Sequence, residues 1–528
     1  MGNKTEIGKD SMIKKTHNNW AIYLTLIVIG VSAIAQGEPF DGLTLFANLY
    51  GNNTFLIDNS GEKIHTWSSN YNCGFIAYLM PDSTIWRTDF YPGSVMQGSG
   101  SGGLIQQYDW DGNIIKSIFW SDSNHQQHHD ICLMPNGNIL FISWERKTPE
   151  EARAMGRLNA IYDIWSEEII EYDPVGDSVV WEWHVWDHLI QDVDSTLPNY
   201  GVVREHPELI DINLGTVPEG DWLHFNSVDY NEERDEIVLA SFFLNEIYVI
   251  DHSTTTEEAR GHTGGRHNKG GDILYRWGNP QNYDRGDSTD RVFYGAHGPN
   301  WIRPGVWGAG DIIVLNNGDR PGTRNDYSEI FQITPPLDSN GFYYIHPDSA
   351  FGPKTPTWYY SNRPSFFTQL LGGVFRLPNG NTFVTLGMSS HFVEIDSGGM
   401  VVWSYNPTPG ERIARAIKYP RDYLSGVKER KEKSISSCRI EPPTPNPFSR
   451  STILRYQTPV PGRVKLSVYD AIGRRVGLLF DRVENAGRFE VCWTPKRSLS
   501  AGVYFVRLEL TSLDGSKRLV ANQRIVKE

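Results

Sequence analysis

Apolar residues in this chain come in short runs, often alternating with polar ones, and turn residues separate the runs at close intervals. That period-two texture predicts β-strands, because successive side chains of a strand point to opposite faces. Two phrases recur. The first is a strand, a turn and a strand: Tyr78-Leu79-Met80-Pro81-Asp82-Ser83-Thr84-Ile85, then Cys132-Leu133-Met134-Pro135-Asn136-Gly137-Asn138-Ile139-Leu140. It returns as Val228-Asp229-Tyr230-Asn231 ahead of Glu236-Ile237-Val238-Leu239, at residues 308–315 after Pro304-Gly305, and as Phe375-Arg376-Leu377-Pro378-Asn379-Gly380-Asn381-Thr382-Phe383. The second phrase is an acidic turn leading to an aromatic residue, at 57–67, 108–120, 172–183, 250–277 and 395–403. Asn-Gly and Asp-Gly between alternating apolar residues signal hairpins, since both pairs tolerate the left-handed backbone of tight turns.

Two such hairpins make one four-stranded unit, which cannot bury both of its faces alone, so several units must pack around a common axis. Five full units and a leading half at 42–67 give an all-β expectation: a six-bladed β-propeller over 36–423, with the leading half closing the ring. Inserts at 145–170, 184–220 and 252–275 are expected as loops over one face, where function usually resides. After Tyr423 the texture changes. Lys428-Glu429-Arg430-Lys431-Glu432-Lys433 and the proline-rich 441–447 read as a linker over 424–445. Strands then return at 452–456, 463–469, 488–493, 502–510 and 518–526, predicting a small immunoglobulin-like β-sandwich over 446–528.

Composition sharpens this picture in three places. A length of 528 residues suits two to four domains, and 50 Gly with 30 Pro suit a turn-rich all-β chain. A net charge of −14 argues against a nucleic-acid partner, which needs a basic surface. Lys14 and Lys15, the apolar run at 20–34 and Ala33-Ile34-Ala35 read as a secretory signal peptide over 1–35, so the protein is expected to be secreted or on the cell surface. The four cysteines do not scaffold the fold; Cys438 and Cys492 could pair or remain thiols.

The chemistry lies in histidines at one repeated place. His129 stands seven residues ahead of Asn136-Gly137, His224 seven ahead of Asn231, and His297 seven ahead of Pro304-Gly305. Equal register in radially packed units places equal positions at equal radius, so three imidazoles converge on one axial pocket. Of the adjacent His128 and His129, strand alternation sends one inward and one outward. Neutral imidazole is a nucleophile and general base near neutral pH, and a donor to oxyanions. A sulfate or phosphate ester needs both roles, one ring to attack and others to hold the equatorial oxygens. Three histidines plus water also describe many zinc sites. His391 reads as an edge-strand residue or a fourth pocket member. His262 and His267, with Asp272, have spacing unlike common zinc patterns and read as a solvated loop. Trp165, Trp181, Trp183 and Trp186 read as packing.

Residues 40–410 resemble the bacterial aryl-sulfate sulfotransferase family of six-bladed periplasmic propellers. The resemblance rests on His128-His129-Asp130, Asp221-Trp222-Leu223-His224-Phe225-Asn226-Ser227, Gly295-Ala296-His297, and Leu315-Asn316-Asn317-Gly318 with Arg320. It implies transfer of a sulfuryl group from a phenolic sulfate donor to a phenol acceptor, with a transiently sulfated histidine and no cofactor. By position His297 matches the family nucleophile, His224 a second catalytic histidine, and His128 or His129 the third. Arg320, Asn317 and Asn226 are the implied substrate-binding residues. One departure stands out: the family places an arginine eighteen residues after the second histidine, and here that position is Phe242. Arg320 or Arg324 could supply the missing cation, with Arg376 and Lys269 as weaker candidates. Two other readings stay open, a propeller that binds a sulfated or anionic ligand without turnover, and a multi-histidine metal-dependent enzyme. The C-terminal segment resembles the sorting domain of the type IX secretion system, through Pro445-Asn446-Pro447-Phe448, Val468-Tyr469-Asp470, Gly502-Val503-Tyr504-Phe505 and Arg524-Ile525-Val526-Lys527. That implies the secretion machinery as a partner.

Overall fold

The computed structural model describes residues 37–215, 220–322, 326–407, 412–424, 438–484, 487–496, 499–513 and 517–528. The leader expected over 1–35 and most of the expected linker lie outside the described residues. The chain is all-β, with 46% of it in strands and 5% helical.

Five antiparallel sheets follow one another along the chain, each running in sequence order from its first strand outward. Their first strands are Cys73–Leu79, His125–Leu133, Phe225–Asn231, Ala296–Trp301 and Gly373–Arg376. A sixth sheet joins the two ends of this region: Ile417–Pro420 pairs antiparallel with Gly42–Ala47, Thr44 opposite Lys418, and Asn53–Ile57 and Lys63–Ser68 follow. Each recurring phrase of the sequence is one hairpin of these sheets. The hairpin between Glu329–Ile333 and Trp358–Tyr360 escaped the pattern because residues 334–357 interrupt it.

The first strands are stitched together by polar side chains reaching a neighbour's backbone. Asp130 Oδ2 accepts from Val228 N (3.2 Å), Ser227 Oγ from Gly298 N (2.8 Å), and Asp229 Oδ2 from Trp301 N (2.9 Å). Asn226 Nδ2 donates to Ala296 O (2.7 Å), and Asn300 Nδ2 to Val374 O (2.7 Å). Buried polar groups need such partners, so these strands hold a shared polar centre while the apolar residues pack between sheets.

Besides a break between Cys73 and Ala77, pairing register breaks at one place in three others of these strands, between Gln127 and Ile131, Phe225 and Ser227, and His297 and Asn300. The backbone turns left-handed beside each of these three, at His129 (φ +50°), His224 (φ +54°) and Gly298 (φ +62°). A bulge breaks strand alternation. His128 and His129 are therefore both buried, with their Nδ1 atoms 2.8 Å apart, where alternation alone sends one of them out.

The inserts are built structures, not bare loops. Thr148 and Glu151 form a capping box on helix Pro149–Ala154, and Thr255 and Glu258 do the same for Thr256–Ala259. Leu189–Ile190 pairs in parallel with Ile210–Asp211.

From Arg439 onward seven strands form one sheet of three and one of four, enclosing Leu454, Val464, Leu466, Val506, Leu508 and Leu510. The pattern missed two strands: Arg475–Glu484, at the edge of its sheet with few buried positions to alternate, and Arg439–Ile440, which lies within the expected linker yet pairs with Thr452–Thr458 and buries Ile440. All four cysteines are free thiols. Cys438 and Cys492 cannot bridge: the strands beside them lie on opposite sides of Thr452–Thr458, with Arg439 opposite Gln457 and Cys492 opposite Ile453.

Candidate active site

The bulged strand ends bring the histidines together. The rings of His129 and His224 meet edge to face with centroids 4.6 Å apart, and His128 Nδ1 lies 2.8 Å from His129 Nδ1. His297 joins through Phe242, whose ring centroid is 5.6 Å from His224 and 5.4 Å from His297. Phe75 packs on His129 at 4.8 Å. Gly100 is needed beneath His129, since a Cβ there would overlap the imidazole.

Each imidazole is oriented by a partner that fixes its protons. Asn317 Nδ2 donates to the carbonyls of Thr368 (3.0 Å) and Leu371 (2.9 Å), so its Oδ1 is the atom 2.6 Å from His297 Nδ1. An amide oxygen only accepts. His297 therefore carries its proton on Nδ1, and Nε2 is the lone-pair nitrogen. Burial pushes His297 down to about 3, with His224 and Arg415 nearby adding to the effect against the Asn317 hydrogen bond. At neutral pH the ring is uncharged.

His224 Nδ1 is hydrogen-bonded to Asp221 Oδ2, and the His224 amide donates to Asp221 Oδ1 (3.1 Å). This is the carboxylate–imidazole pair that steadies a general acid–base. His128 stacks flat on Trp144 (4.1 Å, 11°), with Nε2 2.9 Å from Glu167 Oε2. Burial, with the Asp221 charge adding, raises the Glu167 carboxyl well above its ordinary range, while burial and then His224 hold His128 and His129 well below theirs. Glu167 Oε1 accepts the Phe225 amide (2.8 Å), which leaves Oε2 as the hydroxyl. If Glu167 is protonated, it donates to His128 Nε2, His128 Nδ1–H donates to His129 Nδ1, and His129 presents Nε2–H. The centre thus offers a bare lone pair on His297, a neutral donor on His129 and a carboxylate-backed imidazole on His224.

A cavity of about 830 Å³ opens at His224, lined also by Asp221, Phe243, Trp165, Arg146 and Gly98 among others. Arg146 and Tyr162 come from the first insert. His128, His129 and His297 are buried and do not line the cavity, and the Phe242 ring packs against both His224 and His297.

The other expected site residues serve the scaffold. Asn226 spends its amide on Ala296 O and accepts from Ser227 Oγ (2.7 Å). Arg320 pairs with Glu329 (2.6 Å), donates to the carbonyls of Gly318 and Tyr327, and stacks on Tyr327. Arg324 lies outside the described residues. Arg376 is held by Thr382 and Gln332 between Trp307 and Trp358, and Lys269 is exposed. His391 opens a strand that is paired on both sides and so is not an edge strand; it stands opposite Leu386 and is half-buried. The cation beside the axial histidines is Arg415, which the sequence reading missed because no recurring phrase contains it. Its Nη2 donates to Asp130 Oδ1 (2.8 Å) and to Tyr78 Oη (2.6 Å), and its stem runs against Gly298 and Gly373. Glu167 was also missed, one of several acids in a segment read as a loop. Asp221 was legible, three residues before His224 in the quoted motif. Among the described residues, two groups of three side chains bring ligand atoms close enough for a metal, and neither includes an axial histidine.

Fold and site together define an all-β protein with a buried histidine cluster where several of its sheets meet. The model of the arylsulfotransferase (ASST) family matches residues 35–417, and the chain belongs to that family of sulfotransferase-type enzymes. No curated protein matches the chain. Among solved structures, a protein of unknown function from Bacteroides caccae is similar at 12% identity and TM-score 0.39, over 72% of this chain and 98% of that one. A periplasmic gluconolactonase of Pseudomonas aeruginosa is similar at 12% identity and TM-score 0.38, over 71% and 98%.

Proposed function

We propose that the chain is a six-bladed propeller enzyme that moves a sulfuryl group from a phenolic sulfate ester to a phenol through a sulfated His297. The observation that carries this reading is the fixed tautomer of His297, whose Nδ1–H is spent on Asn317 and whose burial keeps Nε2 unprotonated. In the first half-reaction His297 Nε2 attacks sulfur, the N–S bond forms and the S–O(aryl) bond breaks. The leaving phenolate takes a proton from His224, with Asp221 holding its other nitrogen. His129 Nε2–H donates to a sulfuryl oxygen. In the second half, an acceptor phenol gives its proton back to His224 and attacks sulfur, and the N–S bond breaks. Group transfer through such an intermediate gives ping-pong kinetics.

The test is incubation of the purified protein with 4-nitrophenyl sulfate and phenol. Release of 4-nitrophenol, loss of release in His297→Asn, and an intact-mass gain of one sulfuryl group on the wild type without acceptor are expected. No release above background ends the reading. A second reading has its own support: Phe242 occupies the place of the family arginine, and Arg415 is already committed to Asp130. In that reading the pocket binds a sulfated ligand without turnover, and measurable affinity for aryl sulfates with zero release would establish it. We further propose export by the residue 1–35 leader, and delivery across the outer membrane by an immunoglobulin-like C-terminal sorting domain. Retention of the protein in cells when 446–528 is deleted tests the second step.

A further inference from the structure

A second histidine cluster stands apart from the axis, between two of the inserts. His188 Nε2 lies 2.8 Å from the carbonyl oxygen of Ala259, and its Nδ1 lies 2.9 Å from Asp272 Oδ1. His262 Nδ1 lies 2.7 Å from that same carboxylate oxygen. A carbonyl only accepts, so His188 must donate from Nε2, and in its neutral form the bare lone pair of Nδ1 faces a carboxylate that also has only lone pairs to offer. The arrangement is complete only with a positive charge among the three atoms, which are within 4.8 Å of one another. A backbone carbonyl taking one ring proton while the other nitrogen points at a carboxylate is the outer support that fixes metal-ligating histidines. The spacing fits as well. Ligands at roughly 2.0–2.1 Å from a tetrahedral ion are about 3.4 Å apart, so the two contacts have to open by only about half an ångström to admit one.

The ring of His188 is fixed before any ion arrives. Trp183 stacks on it (5.6 Å, 8°), and Trp183 Nε1 donates to Gly271 O (2.7 Å). The Gly271 backbone lies so close that a Cβ would come 2.6 Å from His188 Nε2. His188 is fully buried while the His262 side chain is 61% exposed and borders a cavity of about 330 Å³, which gives an ion a way in and room for water ligands. The other close group, Glu145, Glu168 and His184, differs in one respect: Lys147 is ion-paired to Glu145 and already supplies the cation.

We propose that His188, His262 and Asp272 bind one divalent transition-metal ion of the zinc class, which clamps the insert carrying His188 to the insert carrying His262 and Asp272. Two imidazoles and one carboxylate suit Zn²⁺ or Co²⁺ and not Mg²⁺ or Ca²⁺, which prefer all-oxygen sets. The full-length protein, stripped with a chelator, is titrated with Co²⁺ and followed by visible absorbance, with Zn²⁺ then displacing the colour. The expected result is one equivalent bound, a melting temperature raised by Zn²⁺, and binding at least about tenfold weaker in His262→Ala and Asp272→Asn. The exposed position of His262 lets that variant fold even if Asp272→Asn does not. His224→Ala and His184→Ala should bind as the wild type does. Absence of Co²⁺ binding in the wild type, binding unchanged in His262→Ala, or loss confined to His224→Ala or His184→Ala would overturn the proposal.

Discussion

Two histidines of this chain, His297 and His252, are both largely buried, yet the same side chain ends in opposite states. His297 in the histidine cluster meets an amide oxygen and the Phe242 ring, and burial takes it down to about 3. His252, just past the strand Glu246–Asp251, sits between Asp235 (2.7 Å) and Glu171 (3.0 Å); burial works against its charge, but the two carboxylates outweigh burial and raise it to about 9. What faces the second nitrogen decides the matter. An amide leaves a lone pair available for chemistry, whereas a carboxylate converts the ring into a structural cation. His188, with one nitrogen on a carbonyl and the other on Asp272, stands with His252 and not with His297 in what it faces.

The largest effect that tests this contrast is on turnover. His297→Asn should lower release of 4-nitrophenol by about 10³-fold or more, the scale lost when a covalent nucleophile is removed. His252→Asn should leave turnover within about threefold. Similar losses in both variants would mean that the axial histidines act only through the scaffold.

Stability against pH should split the pair by sign. His297 is held below its ordinary 6.5 in the folded state, so the unfolded chain binds its proton first. Its contribution is full above about 6.5 and is lost as pH falls toward 3, by about 5 kcal/mol in all. His252 is raised above 6.5, so its contribution is full below that value and is lost as pH rises through about 9, by about 3 kcal/mol. Melting curves recorded from mildly acid to mildly alkaline buffer should show both limbs. His297→Asn should flatten the acid limb and His252→Asn the alkaline one; an exchange of those effects would refute the assignment.

Much of this was legible in the sequence, and the illegible part has physical causes. The recurring Pro-Asn-Gly turns gave the hairpins, and equal register gave His129, His224 and His297. Register could not give the bulges, because a bulge shows only as a skipped pair between strands; that is why His128 and His129 are both buried, against alternation. Nor could it give Glu167 or Arg415, whose roles depend on neighbours 39 and 285 residues away, His128 and Asp130. The 252–275 insert read as solvated because its histidines match no metal spacing, yet His267 is buried against Glu236 and His262 meets a carboxylate ten residues on. Partners that fold together from separate inserts leave no local pattern.

A finer test concerns how His129 receives its proton. If Glu167 is protonated and donates, Glu167→Gln keeps both a donor toward His128 and an acceptor for the Phe225 amide. Turnover should then stay within about threefold, while Glu167→Ala removes the donor and should cost roughly 10- to 100-fold, the scale typical of outer-shell partners. Equal damage from both substitutions would mean an ionised Glu167, a reversed chain of protons and a lone pair on His129 where a donor is proposed.

Phe242 offers the smallest and most discriminating change. Its ring fills the space over Gly295, where a Cβ would come 2.6 Å from it, and packs against both His224 and His297. An aromatic ring cannot fork onto sulfate oxygens, and the axial cation Arg415 is engaged elsewhere. Phe242→Arg adds a cation where the axial cluster has none to spare, and hydrogen bonds to a charged group contribute about 1.5–3 kcal/mol. The expected result is a KM for 4-nitrophenyl sulfate lowered by about tenfold, with His297 still neutral because a new positive charge lowers it further. Turnover that emerges only in Phe242→Arg would identify the natural chain as a binding pocket and this one position as the switch. An unchanged KM would mean that neutral donors such as His129 suffice to hold the sulfuryl oxygens, which is the stronger form of the contrast with the carboxylate-bound His252.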